Sequence, residues 1–375
     1  MSELVQLTLE GRPFEPNEVK PYRWITLAEQ KEFVTFLEEL GGISKDFVFD
    51  GKLSWCASEY EKYKCANDAD HSRVTKYLAC GKRGTCARCS MSYAHKRAGI
   101  MYQWLKENLA KRLMSFDLKM NQIVLTLPKQ LHDMDKKIFV KMVKTFLKKQ
   151  GIEAYGYCIQ DRHSSNPLSE KYLHAHILTL NIKEIDCSIV KSEYYFDVGR
   201  LRSHWKQIIL EHTNIEIEGD VNLHNEYHSV LYSPEIIKHW LAYLYRYPIQ
   251  DLFQVQVRDK SINYVQTQQI ENFEGPNNIL QLEISKKIYD MTREPKPRIV
   301  WCGLLASGSR KRLLKLLQVD SEQWKSLVDV EKELDLRAKT CRDCGCQLEG
   351  QPYERGKYEG DNEPLLLNQF HGLGR

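Results

Sequence analysis

Two histidines separated by one apolar residue, in Tyr172-Leu173-His174-Ala175-His176-Ile177-Leu178-Thr179-Leu180, are the residues best placed to do chemistry. Side chains alternate along a strand, so His174 and His176 share a face and offer two imidazoles to one divalent ion. Leu173, Ala175 and Ile177 read as the buried face, which seats that ion on rigid sheet. The same pattern also suits two satisfied core histidines. A second segment, Ser233 to Pro248, carries helix punctuation: Ser233 caps, Pro234 suits the first helical position and Pro248 stops the helix. On it His239, Tyr243, Arg246 and Tyr247 fall on one side and Ile237, Leu241 and Leu244 on another, while Tyr245 points elsewhere. Two phenols one turn apart beside an arginine form a nucleophile set for a phosphodiester; taken singly, they read as amphipathic packing residues. A phenol is a weak nucleophile at neutral pH unless a cation or base favours the phenolate. An ion on the imidazoles would polarise the phosphate oxygens and align the phosphate for in-line attack.

The elements that must position these groups are legible around them. Gln122-Ile123-Val124-Leu125-Thr126-Leu127-Pro128 reads as a core strand. Tyr155 to His163 reads as a strand leading through Ser164, Ser165, Asn166 and Pro167 into the histidine strand, forming an antiparallel hairpin. From about Asp133 to Gln150 the pattern is helical. There Lys136, Lys137, Lys141, Lys144, Lys148 and Lys149 alternate with Ile138, Phe139, Met142, Val143 and Phe146: an apolar stripe for the sheet and a solvated or DNA-facing lysine face.

The ordered trio of a Leu-Thr-Leu strand, a His-x-His strand and a tyrosine helix resembles the HUH superfamily of single-strand endonucleases, over roughly residues 78 to 250 and on towards 315. Rolling-circle replication initiators, conjugative relaxases and certain transposases belong to it, and the Tyr243-Leu244-Tyr245-Arg246-Tyr247 segment is similar to its two-tyrosine subclass. The resemblance implies an α+β fold: a central antiparallel sheet with flanking helices, like the ferredoxin or RNA-recognition fold. It implies that Tyr243 attacks a DNA phosphate, leaving a 3′-hydroxyl and a 5′-phosphotyrosine, and that Tyr247 serves a second strand transfer. It also implies an oxygen ligand on the preceding strand, often glutamate. Gln160 aligns there, with Asp161 and His163 as substitutes. Mn²⁺ or Mg²⁺ suits such a site, though imidazoles accept Zn²⁺ or Co²⁺ too. Arg246 and Lys238 are candidate phosphate contacts or simply solvated charges.

Eleven cysteines in a chain with no secretory signal point to a reducing compartment. Cys80-Gly81-Lys82-Arg83-Gly84-Thr85-Cys86-Ala87-Arg88-Cys89 suits a structural Zn²⁺ knuckle. The fourth ligand lies among Cys65, Cys56, His71 and His95, and Cys65 is preferred because it lies in a turn-rich stretch and completes four thiolates. Lys82, Arg83, Arg88, Lys96 and Arg97 surround the knuckle as candidate DNA-backbone contacts. A similar knuckle with a long exit helix, here about Ser92 to Leu113, precedes the first core strand in many plasmid initiators and two-tyrosine transposases. Cys341, Cys344 and Cys346 form a second zinc-like group that Cys302 or His371 would complete; Cys158 and Cys187 read as packing thiols.

With 42% apolar residues and no apolar run near the ~18 residues of a membrane helix, the chain is expected to be soluble and cytoplasmic, in a prokaryote and carried by a plasmid, virus or transposon. A net charge of +4 places nucleic-acid affinity in local patches. Four regions are expected: 1–52, with a helix from Thr26 to Leu40 and a short strand near Phe47 to Phe49; 53–116, the knuckle and its exit helix; 117–255, the catalytic unit, with a further helix from Arg200 to Glu211 and a strand near Val221 to His224; and 256–375, an accessory region whose Arg310, Lys311 and Arg312 open a DNA-gripping helix. With no Gly-x-x-x-x-Gly-Lys-Ser/Thr loop, unwinding falls to a separate host helicase. The expected partner is single-stranded or hairpin DNA. The histidine strand, running straight into Thr179-Leu180-Asn181, favours a replication initiator; Thr126-Leu127-Pro128 with Leu131, the tyrosine spacing and Gly303-Leu304-Leu305-Ala306 favour a rolling-circle transposase. A non-catalytic zinc-ribbon DNA-binding protein is the alternative of another class.

Overall fold

A computed structural model describes residues 25–41, 56, 59–68, 70–71, 74–162, 167, 171–192, 197–217, 223–259, 286–288, 290–291, 299–341, 343–352 and 354–357. The expected strand near Phe47 to Phe49 and residues His163 and His371 lie outside them.

In chain order the elements used below are α1 (Leu27–Gly41), β1 (Glu59–Tyr63), β2 (Val74–Tyr77), α2 (Ala87–Leu105), β3 (Lys119–Thr126), α3 (Lys136–Lys149), β4 (Ala154–Gln160), β5 (His174–Leu180), β6 (Ile182–Ile185), β7 (Ser188–Lys191), α4 (Val198–Thr213), β8 (Leu223–Ser229), α5 (Pro234–Leu244), α6 (Pro248–Phe253), β9 (Val300–Gly303), α7 (Arg310–Leu316), α8 (Leu327–Arg337) and β10 (Glu354–Lys357). The centre is a five-stranded sheet in the order β8-β3-β5-β4-β9, antiparallel at every pairing. With helices on both faces, the arrangement is α+β. The outer strand β9 comes from beyond residue 256.

Alternation along the strands divides the core in two. Ile123, Leu125, Tyr157, Ala175 and Ile177 point to the layer of α3 and α4, where Phe139, Met142, Phe146, Leu201 and Ile208 are buried. The Trp205 ring packs edge-on against Phe139 and Phe146, and its indole N–H donates to the Thr126 carbonyl at 2.8 Å. Each such large apolar side chain contributes on the order of 1.5–3 kcal/mol by leaving water. The lysines of α3 line the outside of this layer, as its apolar stripe requires. Met120, Ala154, Cys158, Leu178 and Leu180 point the other way, into a core with Ala98, Met101 and Leu105 of α2 and Ile237, Trp240 and Leu241 of α5. His174 and His176 stand on this second face.

β9 is fastened by Gly303, which closes the edge with a left-handed φ of +58°. A Cβ there would lie 1.7 Å from the Glu153 carbonyl oxygen, which accepts the Leu304 N–H at 2.8 Å. Gly303→Ala is therefore expected to cost about 3 kcal/mol, from left-handed strain plus displacement of the carbonyl, read as a lower urea midpoint with unchanged slope.

A second, three-stranded sheet has the order β10-β1-β2. It joins the hairpin near residue 60 to a strand nearly three hundred residues later in the chain. The hairpin β6-β7 turns through Asp186 and Cys187, both with positive φ, which leaves Cys187 exposed instead of packed as expected.

Candidate functional site

The site grows from the middle strand. β3 and β4 flank β5, so Thr126 and Gln160 stand opposite His174, while Val124 and Cys158 stand opposite His176. Paired residues in a sheet project to the same side. Gln160 therefore shares the histidines' face, and its neighbour Asp161 does not continue that row. Both imidazoles are buried, at 5% and 6% exposure.

His174 has its tautomer set by the backbone. Its Nδ1 lies 2.9 Å from the Tyr172 carbonyl oxygen, which can only accept, so the proton sits on Nδ1 and Nε2 is the basic nitrogen of the ring. The rings continue as a row. Tyr172 and His174 have centroids 5.0 Å apart, His174 and His176 4.8 Å, and His176 and Tyr243 4.6 Å. Behind Tyr172 stands His132, which donates from Nε2 to the Leu127 carbonyl at 2.8 Å and buttresses the tyrosine edge-on. At the far end the Arg246 guanidinium lies 5.1 Å over the Tyr243 ring and pairs with Asp251 at 2.9 Å.

The strand and helix that the sequence placed far apart thus meet at His176 and Tyr243. A centroid separation of 4.6 Å is direct ring contact, so no phosphate fits between the rings in this arrangement. The phenol has to swing off the imidazole for a phosphate to reach both.

Tyr247 does not accompany Tyr243. The expected helix to Pro248 ends at Leu244, and Tyr247 is extended (φ −94°, ψ 149°) at the start of α6. It is buried at 5% exposure in a separate core with Phe33, Ile249, Leu252 and Phe253, edge-on to Tyr93. Burial raises its phenol above the ordinary tyrosine pKa, as it does for Tyr245, which lies beside Arg97 and Trp301.

The cysteines regroup relative to the sequence reading. Cys80, Cys86 and Cys89 do converge, but the fourth thiol is Cys56 and not Cys65: all four Sγ atoms lie within 4.8 Å of one another. Cys89 is central, with its sulfur 3.4 Å from Cys56 and 3.5 Å from Cys80, and its N–H points at the Cys86 sulfur at the start of α2. Such a set of four thiols can hold a tetrahedral ion such as Zn²⁺. Shared thiol hydrogen bonds pull their acidities apart, Cys80 falling far below an ordinary thiol and Cys56 rising above it. The second group also has other members than expected. Cys341 and Cys344 meet Cys65 and His71, within the same 4.8 Å. Cys302 is not part of it; it lies on β9 opposite Tyr155. Cys346 stands beside the group, its sulfur accepting from the Asn67 amide at 2.9 Å.

Of the basic residues assigned to DNA, Arg88 is corrected outright. It is buried at 2% exposure and donates to the Cys56 carbonyl at 2.7 Å, so it fastens the cysteine cluster and faces no solvent. Lys238 folds back on Glu235 at 2.9 Å and over the Tyr102 ring. Lys96 and Arg97 are held by Glu331 and Asp335 of α8. Arg312 pairs with Glu184. Lys82, Arg83, Arg310 and Lys311 are exposed, with the Arg83 guanidinium stacked 4.3 Å over Tyr93. No helix among the described residues is long and apolar enough to cross a membrane.

The chain matches no protein-family model, no curated protein and no solved structure.

Proposed function

We infer that this protein is a metal-dependent single-strand DNA endonuclease and strand transferase of the HUH type, acting through Tyr243, and that its role is rolling-circle replication initiation. The observation that carries the reading is the contact between the Tyr243 ring and His176 on the two-histidine face of β5. A tyrosine and a paired-imidazole platform, from segments nearly seventy residues apart in sequence, share one site, which is what phosphodiester attack needs.

His174 and His176 would hold the ion, with Gln160 the neighbouring oxygen donor; when bound, Mn²⁺ or Mg²⁺ supplies Lewis-acid polarisation of the phosphate. The chain's own groups do the rest. The Tyr172 carbonyl keeps the His174 proton on Nδ1, which leaves Nε2 the nitrogen that would bind an ion. Arg246, stacked on the Tyr243 ring, can bind a phosphate oxygen, while Asp251 fixes the guanidinium. The Tyr243 oxygen then forms a bond to phosphorus as the bond to the 3′-oxygen breaks. The phenolic proton passes to water and the leaving oxygen picks one up as a 3′-hydroxyl. The phosphotyrosine linkage retains the energy needed to rejoin the strand. The buried setting of Tyr247 favours a single resident nucleophile in this conformation.

Rolling-circle transposition is the second reading; it shares every residue above and differs only in the DNA acted on. In a zinc-ribbon binding protein without catalysis the His176–Tyr243 contact would only pack α5 on β5, and no covalent adduct would form.

The test is a labelled single-stranded hairpin incubated with the protein and Mn²⁺. A band shift that survives denaturant and disappears with EDTA is expected, and a shift that denaturant removes refutes the enzyme. His176→Ala is expected to lower adduct formation by about 10²-fold or more, because one of two nitrogen ligands is gone. Equal adduct yields in wild type and His176→Ala would remove the metal platform from the reading.

A further inference from the structure

We propose that Cys65, His71, Cys341 and Cys344 form a second zinc site, distinct in ligands and purpose from the Cys56 cluster, and that it clasps the C-terminal segment onto the tip of the β1-β2 hairpin. The inference does not rest on the nuclease reading.

The geometry is that of a thiolate and imidazole cage. The Cys65 and Cys344 sulfurs are 3.5 Å apart, and Cys341 Sγ lies 3.7 Å from His71 Nδ1. A disulfide would need about 2.05 Å, whereas tetrahedral ligands on ~2.3 Å bonds stand about 3.8 Å apart. The donors around the sulfurs are arranged as ligands require. The Asn67 N–H points at the Cys65 sulfur at 3.4 Å. Cys341 and Cys346 are drawn together around Gly345: Gly345 N–H donates to the Cys341 carbonyl at 3.0 Å, Cys341 N–H to the Cys346 carbonyl at 2.7 Å, and Gly345 takes a φ of +74° that suits glycine.

An independent observation concerns His71. Its Nδ1 faces Cys341, while its Nε2 lies 3.5 Å from the Asp68 carboxylate. A carboxylate behind the far nitrogen fixes the tautomer in which the near nitrogen is the ligand, the outer-shell arrangement that metal-bound imidazoles adopt.

The purpose follows from the order of ligands. Cys56 and Cys80 bracket β1 and β2, so the first cluster closes the base of the hairpin. Cys65 and His71 lie in the loop joining the same strands, at its tip, about 16 Å away for a five-residue strand. The tail arrives at that tip from the far end of the chain: Cys65 bridges Leu348, Ala66 N–H donates to the Gln347 carbonyl at 3.2 Å, and β10 then pairs with β1. A metal here holds together two segments some 270 residues apart, where the loop to be closed is long and the backbone contacts few. Zn²⁺ is the ion that three sulfurs and one nitrogen select.

The test uses the full-length chain purified without chelator, with zinc counted by plasma mass spectrometry and amide exchange followed by peptide. Wild type is expected to hold two zinc ions. Cys344→Ser is expected to hold one, with faster exchange in residues 59–77 and 340–357. His71→Cys keeps a competent ligand set, so it is expected to retain two zinc ions; after cobalt substitution its visible spectrum shifts from mixed sulfur-nitrogen towards all-sulfur ligation. One zinc in wild type, two in Cys344→Ser, or unchanged exchange in both segments overturns the proposal. Should Cys344→Ser lose both ions by misfolding, His71→Cys decides: two zinc ions with the cobalt shift support the clasp, and any other result overturns it.

Discussion

Tyr243→Phe is expected to abolish covalent attachment to single-stranded hairpin DNA, with cleavage down at least ~10³-fold, while Tyr247→Phe keeps the first cleavage. The difference comes from where the two phenols stand. Tyr243 touches His176 and lies under Arg246, so removing its oxygen removes the proposed nucleophile and leaves the ring contact between α5 and β5. Tyr247 is 5% exposed, in the core that contains Phe33 and Phe253, and edge-on to Tyr93. The single-atom change keeps both folds intact, so circular dichroism and thermal melts of the two variants should overlay on wild type. An adduct that survives in Tyr243→Phe and vanishes in Tyr247→Phe would show that α5 and α6 rearrange before the reaction and would reverse the assignment.

The second large effect is expected on breaking the Cys56 cluster, whose four thiols can hold an ion such as Zn²⁺. Cys89→Ser deletes the sulfur that lies beside both Cys56 and Cys80. Structural zinc contributes ~10–16 kcal/mol of apparent binding free energy in small domains, comparable with the 5–15 kcal/mol that keeps a whole domain folded. The loss does not stop at the knuckle. α2 begins at the cluster, where Cys86 caps it, and its later residues Ala98, Met101 and Leu105 lie in the same core as Ile237 and Trp240 of α5. A melting temperature lower by about 10 °C or more is expected from calorimetry, with wild type in strong chelator moving the same way. Cys187→Ser, at an exposed turn outside both clusters, should leave the melt unchanged. Identical melts for Cys89→Ser and wild type would mean that the four thiols carry no ion.

Local periodicity made the histidine strand legible. Alternation alone put His174 and His176 on one face, and the β-branched run 122–126 announced the strand beside them. The amphipathic lysine helix was readable for the same reason, and its Asp135 cap marks its start. Elsewhere local pattern competes with a second rule or with contacts distant in sequence. Pro248 marks a stop for the tyrosine helix, but a proline also pushes the residue before it out of the helical region, and that residue is Tyr247. The turn-rich character of its neighbours favours Cys65 over Cys56 in sequence. The actual choice depends on which residues bracket a hairpin and which sit in its loop, so it is decided by the pairing of β1 with β2. That Arg88 is buried could not be read from a run of basic residues, because its partner is a backbone carbonyl more than thirty positions upstream.

Both sheets take an outer strand from the last third of the chain: β9 beside β4, and β10 beside β1. During synthesis the ribosome releases these strands last. Until residue 303 has emerged, β4 presents a row of open amides and carbonyls, and until residue 357 has emerged β1 does the same. A nascent or prematurely terminated polypeptide would carry two sticky edges that invite pairing with other chains.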